Sequence, residues 1–246
     1  MIAVDKDWLA RLLFDARLSD IAYLDTEKAT RSALSSLGMD LVARYSTDSA
    51  QAYVAQGLTS HCYLVFAGTR VTTGTVLDAV GDLLRDIEYE PKELGAGVRV
   101  ASGAFDGARP VYSWAKPFIG EQPVAVVGHS LGGWQATYAA LYNTTFKLKY
   151  ITAIDAPKQG NGLFWQFIGK TAPGMVTQLV HGRDPWFAWP LDSELIHGDS
   201  PIIWLRDGKA VWTTEPNWAG GDILDCRDHN IGVIIKALEA LAERQV

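Results

Sequence analysis

The sequence predicts an α/β protein built on a central, mostly parallel sheet with helices on both faces. Three observations carry that prediction. Short, continuous apolar runs such as Val124 to Val127 have the character of strands covered on both sides. Between them, stretches with apolar residues three and four apart have the pattern of helices laid on a core. Finally, Gly128-His129-Ser130-Leu131-Gly132 places a serine at a tight turn between one such strand and a helical run, Trp134 to Tyr142. Strand, turn and helix together are the setting of a nucleophile elbow, where small residues flanking the serine let the two elements close around a strained backbone. The bare G-x-S-x-G pattern arises by chance in about one chain in ten of this length. Its weight comes from the apolar strand before it, the helix after it and the additional Gly133.

Size and composition suit one domain. The chain has 246 residues, 48% hydrophobic and 20% charged, with no linker, low-complexity tract or internal repeat. A net charge of -6 without a basic cluster excludes nucleic acid as an expected partner. Met1 to Ala10 lacks the apolar core and small-residue cleavage site of a signal peptide, and no apolar run approaches the ~20 residues that span a bilayer. A cytoplasmic protein is therefore expected, or a secreted one whose leader has been removed. Cys62 and Cys226 read as free thiols, and without C-x-x-C or H-E-x-x-H no metal or other cofactor is expected.

Taken in order, Trp8, Leu9, Leu12, Leu13, Ala16 and Ile21 mark an amphipathic helix, followed by a polar loop. Gln51 to Ala55 and His61 to Ala67 are expected as consecutive strands, the second apolar enough to be central. It ends at Gly68-Thr69-Arg70, on the edge where open α/β sheets place ligands. Thr69 reads as an oxyanion donor, with the backbone N–H of Leu131 as the second; a helix cap is the alternative for Thr69. Thr75 to Ile87 combines a capping-box spacing with an apolar stripe, so a helix at 74–88 is either scaffold or a lid over the site. Gly103 to Phe118 is another expected helix.

Beyond the elbow, Tyr150 to Ile154 is a strand ending at Asp155, and Met175 to Val180 a strand ending at His181-Gly182-Arg183-Asp184-Pro185. Both aspartates are candidate acids for a serine site. Asp184 is favoured because Pro185 to Pro190 must leave the sheet at once and expose its tip; Asp155 is the rival. Pro201 to Leu205 and Ala210 to Thr213 form a hairpin, and Ile231, Ile234, Ile235, Leu238 and Leu241 stripe a final helix. His129 points away from the serine it adjoins, and of the histidines after Asp184, His229 is preferred over His197 as base because it follows the last strand. Trp186, Phe187 and Trp189, like Phe164, Trp165 and Phe167, either line an apolar substrate groove or pack as core.

Together these stretches resemble the class 3 lipase family, the fungal-lipase type of the α/β-hydrolase fold. G-H-S-L-G-G at 128–133 resembles its elbow, V-F-A-G-T at 65–69 its oxyanion strand and A-P-K-Q-G-N at 156–161 its P-R-V-G-N turn. H-G-R-D-P-W at 181–186 resembles the segment that carries its acid, and C-R-D-H-N at 226–230 the D-H before its last helix. The resemblance implies Ser130 as nucleophile, Asp184 as acid, His229 as base, Thr69 with Leu131 as oxyanion hole and a lid after the oxyanion strand. It implies hydrolysis of lipid or small carboxylic esters, by a triacylglycerol lipase or carboxylesterase working at a lipid–water interface. A phospholipase A1 or feruloyl-type esterase on the same fold is the alternative within the class. An idle fold member that only binds is the alternative outside it. Ala67 and Ala101 stand where the family usually has Arg and His, Asp155 replaces a small residue, and Lys158 replaces Arg. None of these removes a catalytic group.

Overall fold

A computed structural model describes residues 2–47, 50–57, 61–69, 90–190, 193–214, 216 and 226–244. The helix or lid expected at 74–88 lies outside them. The strands are β1 (Ile2–Ala3), β2 (Met39–Ser46), β3 (Gln51–Gly57), β4 (Cys62–Phe66), β5 (Pro91–Gly95), β6 (Val98–Ala101), β7 (Pro123–His129), β8 (Lys147–Ile154), β9 (Val176–His181), β10 (Ile202–Arg206) and β11 (Lys209–Thr213). The helices are α1 (Lys6–Ile21), α2 (Glu27–Ser36), α3 (Ser102–Ile119), α4 (Leu131–Thr137), α5 (Gly162–Thr171) and α6 (Ile231–Arg244).

Among the described residues one nine-stranded sheet has the order β1-β11-β10-β9-β8-β7-β4-β3-β2, with β5 and β6 as a separate hairpin. Its centre, β4, β7, β8, β9 and β10, is parallel. Both margins are antiparallel.

Alternation along the central strands sends side chains to two cores. Cys62, Leu64 and Phe66 of β4 and Val124 and Val126 of β7 face α3, α4 and α5. Tyr63, Val65, Ala125 and Val127 face the other way, onto α1 and α2. Farther along the sheet, Ile154, Leu179 and Ile203 pack on α1 and α6. Helices on both faces explain why these strands read as unbroken apolar runs.

The expected polar loop after α1 is instead α2 and β2. Thr26 caps α2 by accepting the Ala29 N–H at 3.2 Å, yet the helix buries only Thr30 and Leu34, so it shows little apolar stripe. The helix expected over Trp134–Tyr142 starts at Leu131, ends at Thr137 and tightens into a 3-10 turn over Tyr138–Tyr142. The aromatics of 164–167 belong to α5, with Phe164 and Trp165 buried and Phe167 exposed. Cys62 and Cys226 are not bridged to each other. No helix among the described residues is long and apolar enough to cross a membrane.

Helix α1 meets the sheet through a buried carboxylate. Asp15 accepts the hydroxyls of Tyr150 at 3.1 Å and Thr152 at 2.7 Å, both on β8. Burial pushes its carboxyl up from the ordinary 3.8 to about 6, against the pull of Thr152, Arg11 and Tyr150. A raised acid holds a proton in the folded chain that the unfolded chain has already released. Its contribution to stability is therefore present below about pH 4 and lost as pH rises through about 6. Asp15→Asn should remove that dependence, amounting to about 3 kcal/mol. Urea unfolding of both proteins between pH 4 and 7 measures the difference as the slope of wild-type stability minus that of the variant.

Candidate active site

The elbow forms because β7 and α4 approach to backbone contact. Ser130 adopts φ 58°, a left-handed conformation that costs an ordinary side chain energy. It is held there by its own N–H, which donates to Ile154 O at 2.9 Å, and by its carbonyl, which accepts the Trp134 N–H at 3.1 Å. A Cβ on Gly128 would come closer than 3.0 Å to the Gly132 carbonyl, and one on Gly132 would strike the backbone of Phe66 and Ala67. Only glycine leaves room for the turn at these two positions.

Two further segments converge on Ser130 at the C-terminal end of β7. His229 ends a 3-10 turn, Cys226–His229, that leads into α6, and Asp184 lies in the loop after β9. His229 Nε2 is 2.8 Å from Ser130 Oγ, and His229 Nδ1 is 2.7 Å from Asp184 Oδ2. The carboxylate accepts, so Nδ1 carries the hydrogen and Nε2 is left to accept the serine hydroxyl. The second oxygen of Asp184 takes the Trp186 N–H at 3.0 Å. All three residues are buried, with Ser130 at 2%, His229 at 4% and Asp184 at 0% exposure.

A second chain of hydrogen bonds, which sequence reasoning did not anticipate, ties the elbow to its surroundings. The Tyr23 hydroxyl lies 2.7 Å from His129 Nδ1 and accepts the backbone N–H of Gly68, while His129 Nε2 lies 2.9 Å from the His229 carbonyl. A carbonyl can only accept, so Nε2 carries the hydrogen and Nδ1 accepts from Tyr23. Burial, and then the neighbouring His229, push His129 well below the ordinary imidazole range, which suits this neutral role. The chain runs from the end of β4, through the residue before Ser130, to the backbone of the base.

Thr69 is buried beside this chain, and its hydroxyl has no hydrogen-bond partner among the described residues. Its neighbour Gly68 abuts Ser130: a Cβ there would stand 3.0 Å from Ser130 Cβ. Leu131 opens α4, so its N–H is one of those a helix start leaves unbonded within the helix. Among the expected aromatics, the Trp186 ring lies 6.4 Å from the His229 ring, and Trp189 sets its edge against Trp134 at 5.8 Å. Phe187 is 1% exposed and stacks on His197 at 3.8 Å, so its ring belongs to the core under the acid loop.

Both rivals are accounted for. His197 is occupied at one ring nitrogen by Gln178 at 2.7 Å and at the other by the Phe187 carbonyl at 2.6 Å, and burial pushes it down to about 3. Asp155, at the end of β8, accepts the His181 N–H at 2.8 Å and lies beside the site without touching Ser130. His129, Asp155 and His229 offer atoms within 4.8 Å of one another. Every ring nitrogen of the two histidines is already in a hydrogen bond, so neither imidazole has a lone pair free for a metal. Tyr23→Phe should leave His129 Nδ1 and the Gly68 N–H unmatched and lower unfolding free energy by about 1–3 kcal/mol, measured by urea titration.

No protein-family model matches the chain, and no curated protein does. Solved structures do. The chain is similar to lipase II from Rhizopus niveus at a TM-score of 0.76 and 19% identity, over 93% of this chain and 95% of that one. It is similar to the Rhizomucor miehei lipase in its propeptide complex at 0.71 and 20%, over 94% and 82%. It is also similar to a fungal lipase–inhibitor complex described as a model for interfacial activation, at 0.72 and 20%, over 94% and 97%. At these identities the likeness is one of fold, and the fold is the α/β-hydrolase fold of these fungal lipases.

Proposed function

We propose that the protein is a serine hydrolase of carboxylic esters, a lipase or carboxylesterase, and that residues 1–246 act as one catalytic domain. One observation carries the reading: a continuous hydrogen-bonded chain from Ser130 through His229 to Asp184, buried at the edge where parallel sheets place their ligands. His229 Nε2 takes the hydroxyl proton as Ser130 Oγ attacks the carbonyl carbon, and Asp184 steadies the imidazolium that results. The N–H groups of Thr69 and Leu131 receive the negative charge on the carbonyl oxygen, helped by the Thr69 hydroxyl. A buried donor without a partner costs about 1–3 kcal/mol, and an oxyanion supplies the partner. His229 then returns the proton to the departing alcohol. Water enters, loses its proton to His229 and releases the acid from Ser130 by the same steps.

The preferred substrates are esters with apolar acyl chains, triacylglycerols first. Trp186 beside His229 offers an apolar surface at the reacting end, and the structures of like fold are of lipases, one of them described for interfacial activation.

Ser130→Ala should lower hydrolysis of p-nitrophenyl butyrate by about 10⁴-fold or more. A fluorophosphonate should label the wild-type protein and not this variant. A wild-type protein that neither turns over the ester nor accepts the label would return the idle, binding-only reading. For acyl preference, rates on tributyrin taken across its solubility limit decide: a rise at the interface is expected, and smooth saturation would favour soluble esters.

A further inference from the structure

The serine-hydrolase reading leaves the placement of Asp155 unexplained. It is 0% exposed and sits at φ 43°, in the left-handed region where a glycine would be free of strain. One carboxyl oxygen accepts the His181 N–H at 2.8 Å; the other, Oδ2, is buried without a hydrogen-bond partner among the described residues. An oxygen of this carboxyl lies within 4.8 Å of a ring nitrogen of His229 and of one of His129. Asp155 follows β8 and Asp184 follows β9, and these strands are neighbours. Two carboxyl groups therefore flank one imidazole from adjacent loops, and only one of them is bonded to it.

We propose that Asp155 is a second acid of the site, a positioning carboxyl that takes the His229 Nδ1 contact when Asp184 is lost and so sustains part of the turnover. The proposal rests on the serine-hydrolase reading of Ser130. Among the described residues, Asp184 and Asp228 are the negative charges acting on Asp155, His181 donates its backbone N–H, and His129 and His229 present their rings. Burial first, and the Asp184 charge next, push the Asp155 carboxyl well above the ordinary range. Two close carboxylates do not both ionise readily, so the neighbouring Asp184 favours a proton on Asp155. Removing Asp184 removes that opposing charge. Burial still opposes ionisation, so Asp155 gives up its proton only at a pH above the ordinary carboxyl range, and once it has done so the imidazolium formed during attack has a carboxylate to pair with.

A merely structural Asp155 would use only its contact with the His181 N–H, which an asparagine can keep. The test is therefore kcat on p-nitrophenyl butyrate for Asp184→Ala, Asp155→Asn and the double variant, with thermal unfolding as a check on folding. Loss of a triad aspartate costs about 10⁴-fold in kcat where nothing replaces it. With Asp155 in place, Asp184→Ala should fall by only about 10², and adding Asp155→Asn should cost about 10² more. The rate of Asp184→Ala should rise with pH as Asp155 ionises, and this limb should be missing from the double variant. Equal kcat and equal pH profiles for Asp184→Ala and the double variant, both folded, would overturn the proposal. Asp184→Ser, which keeps an acceptor for the Trp186 N–H, gives the same comparison if Asp184→Ala does not fold. A wild-type protein without ester turnover or fluorophosphonate labelling defeats the hydrolase reading itself; an active wild type with the two variants alike defeats the role of Asp155 alone.

Discussion

The backbone contact between β7 and α4 is the constraint to which the rest of the molecule answers. Closing that contact strains Ser130 and leaves no space for a side chain at Gly128 or Gly132. The strain persists only where surrounding structure holds it, and the holding groups come from both sides of the elbow: the Ile154 carbonyl of β8 and the Trp134 N–H of α4. Because β4 and β8 flank β7 in parallel register, their ends fall beside the serine. Position in the sheet thus decides which loops supply the remaining groups.

This explains how much of the site was legible in the sequence. Strands β4, β7 and β9 and the second half of β8 are buried on both faces and read as largely apolar runs, and the residues one to three positions after each run fall at the C-terminal edge of the sheet. Ser130, Thr69, Asp155 and Asp184 could all be picked out by that rule. Helix α2, strand β2 and the β5–β6 hairpin could not. They lie where one face meets water, and their burial patterns alternate or thin out until composition resembles a polar loop. In α5 the signal misleads in another way, since Phe164 and Trp165 suggest a ligand groove while their rings fill the core. The Tyr23–His129 link joins residues 106 positions apart through one hydroxyl. No periodicity records such a contact, and it follows only once α1 is seen to end beside β7.

His229 is held by its backbone as much as by its ring. The His229 carbonyl is fixed by His129, the Asp228 carbonyl lies 3.0 Å from His181 Nδ1, and the Asp228 carboxylate accepts the Arg183 N–H at 2.8 Å. The turn that carries His229 is therefore bonded to the elbow on one side and to the acid loop on the other. A histidine at the head of a helix needs such fixing, because the 2.7 and 2.8 Å contacts of its ring must hold together without rotation.

The same economy governs charge. Asp184, Asp155 and Asp228 each accept a main-chain N–H, from Trp186, His181 and Arg183 in turn. A backbone amide fixes a carboxylate's direction while adding only a partial positive charge. A guanidinium in the same place would fix it as firmly but would cancel its charge. Main-chain donors thus orient the acid and leave its field intact. The cost of this arrangement is that three carboxyl groups crowd one edge of the sheet. The crowding tells most at Asp155, where burial and then the Asp184 charge push the carboxyl well above its ordinary range.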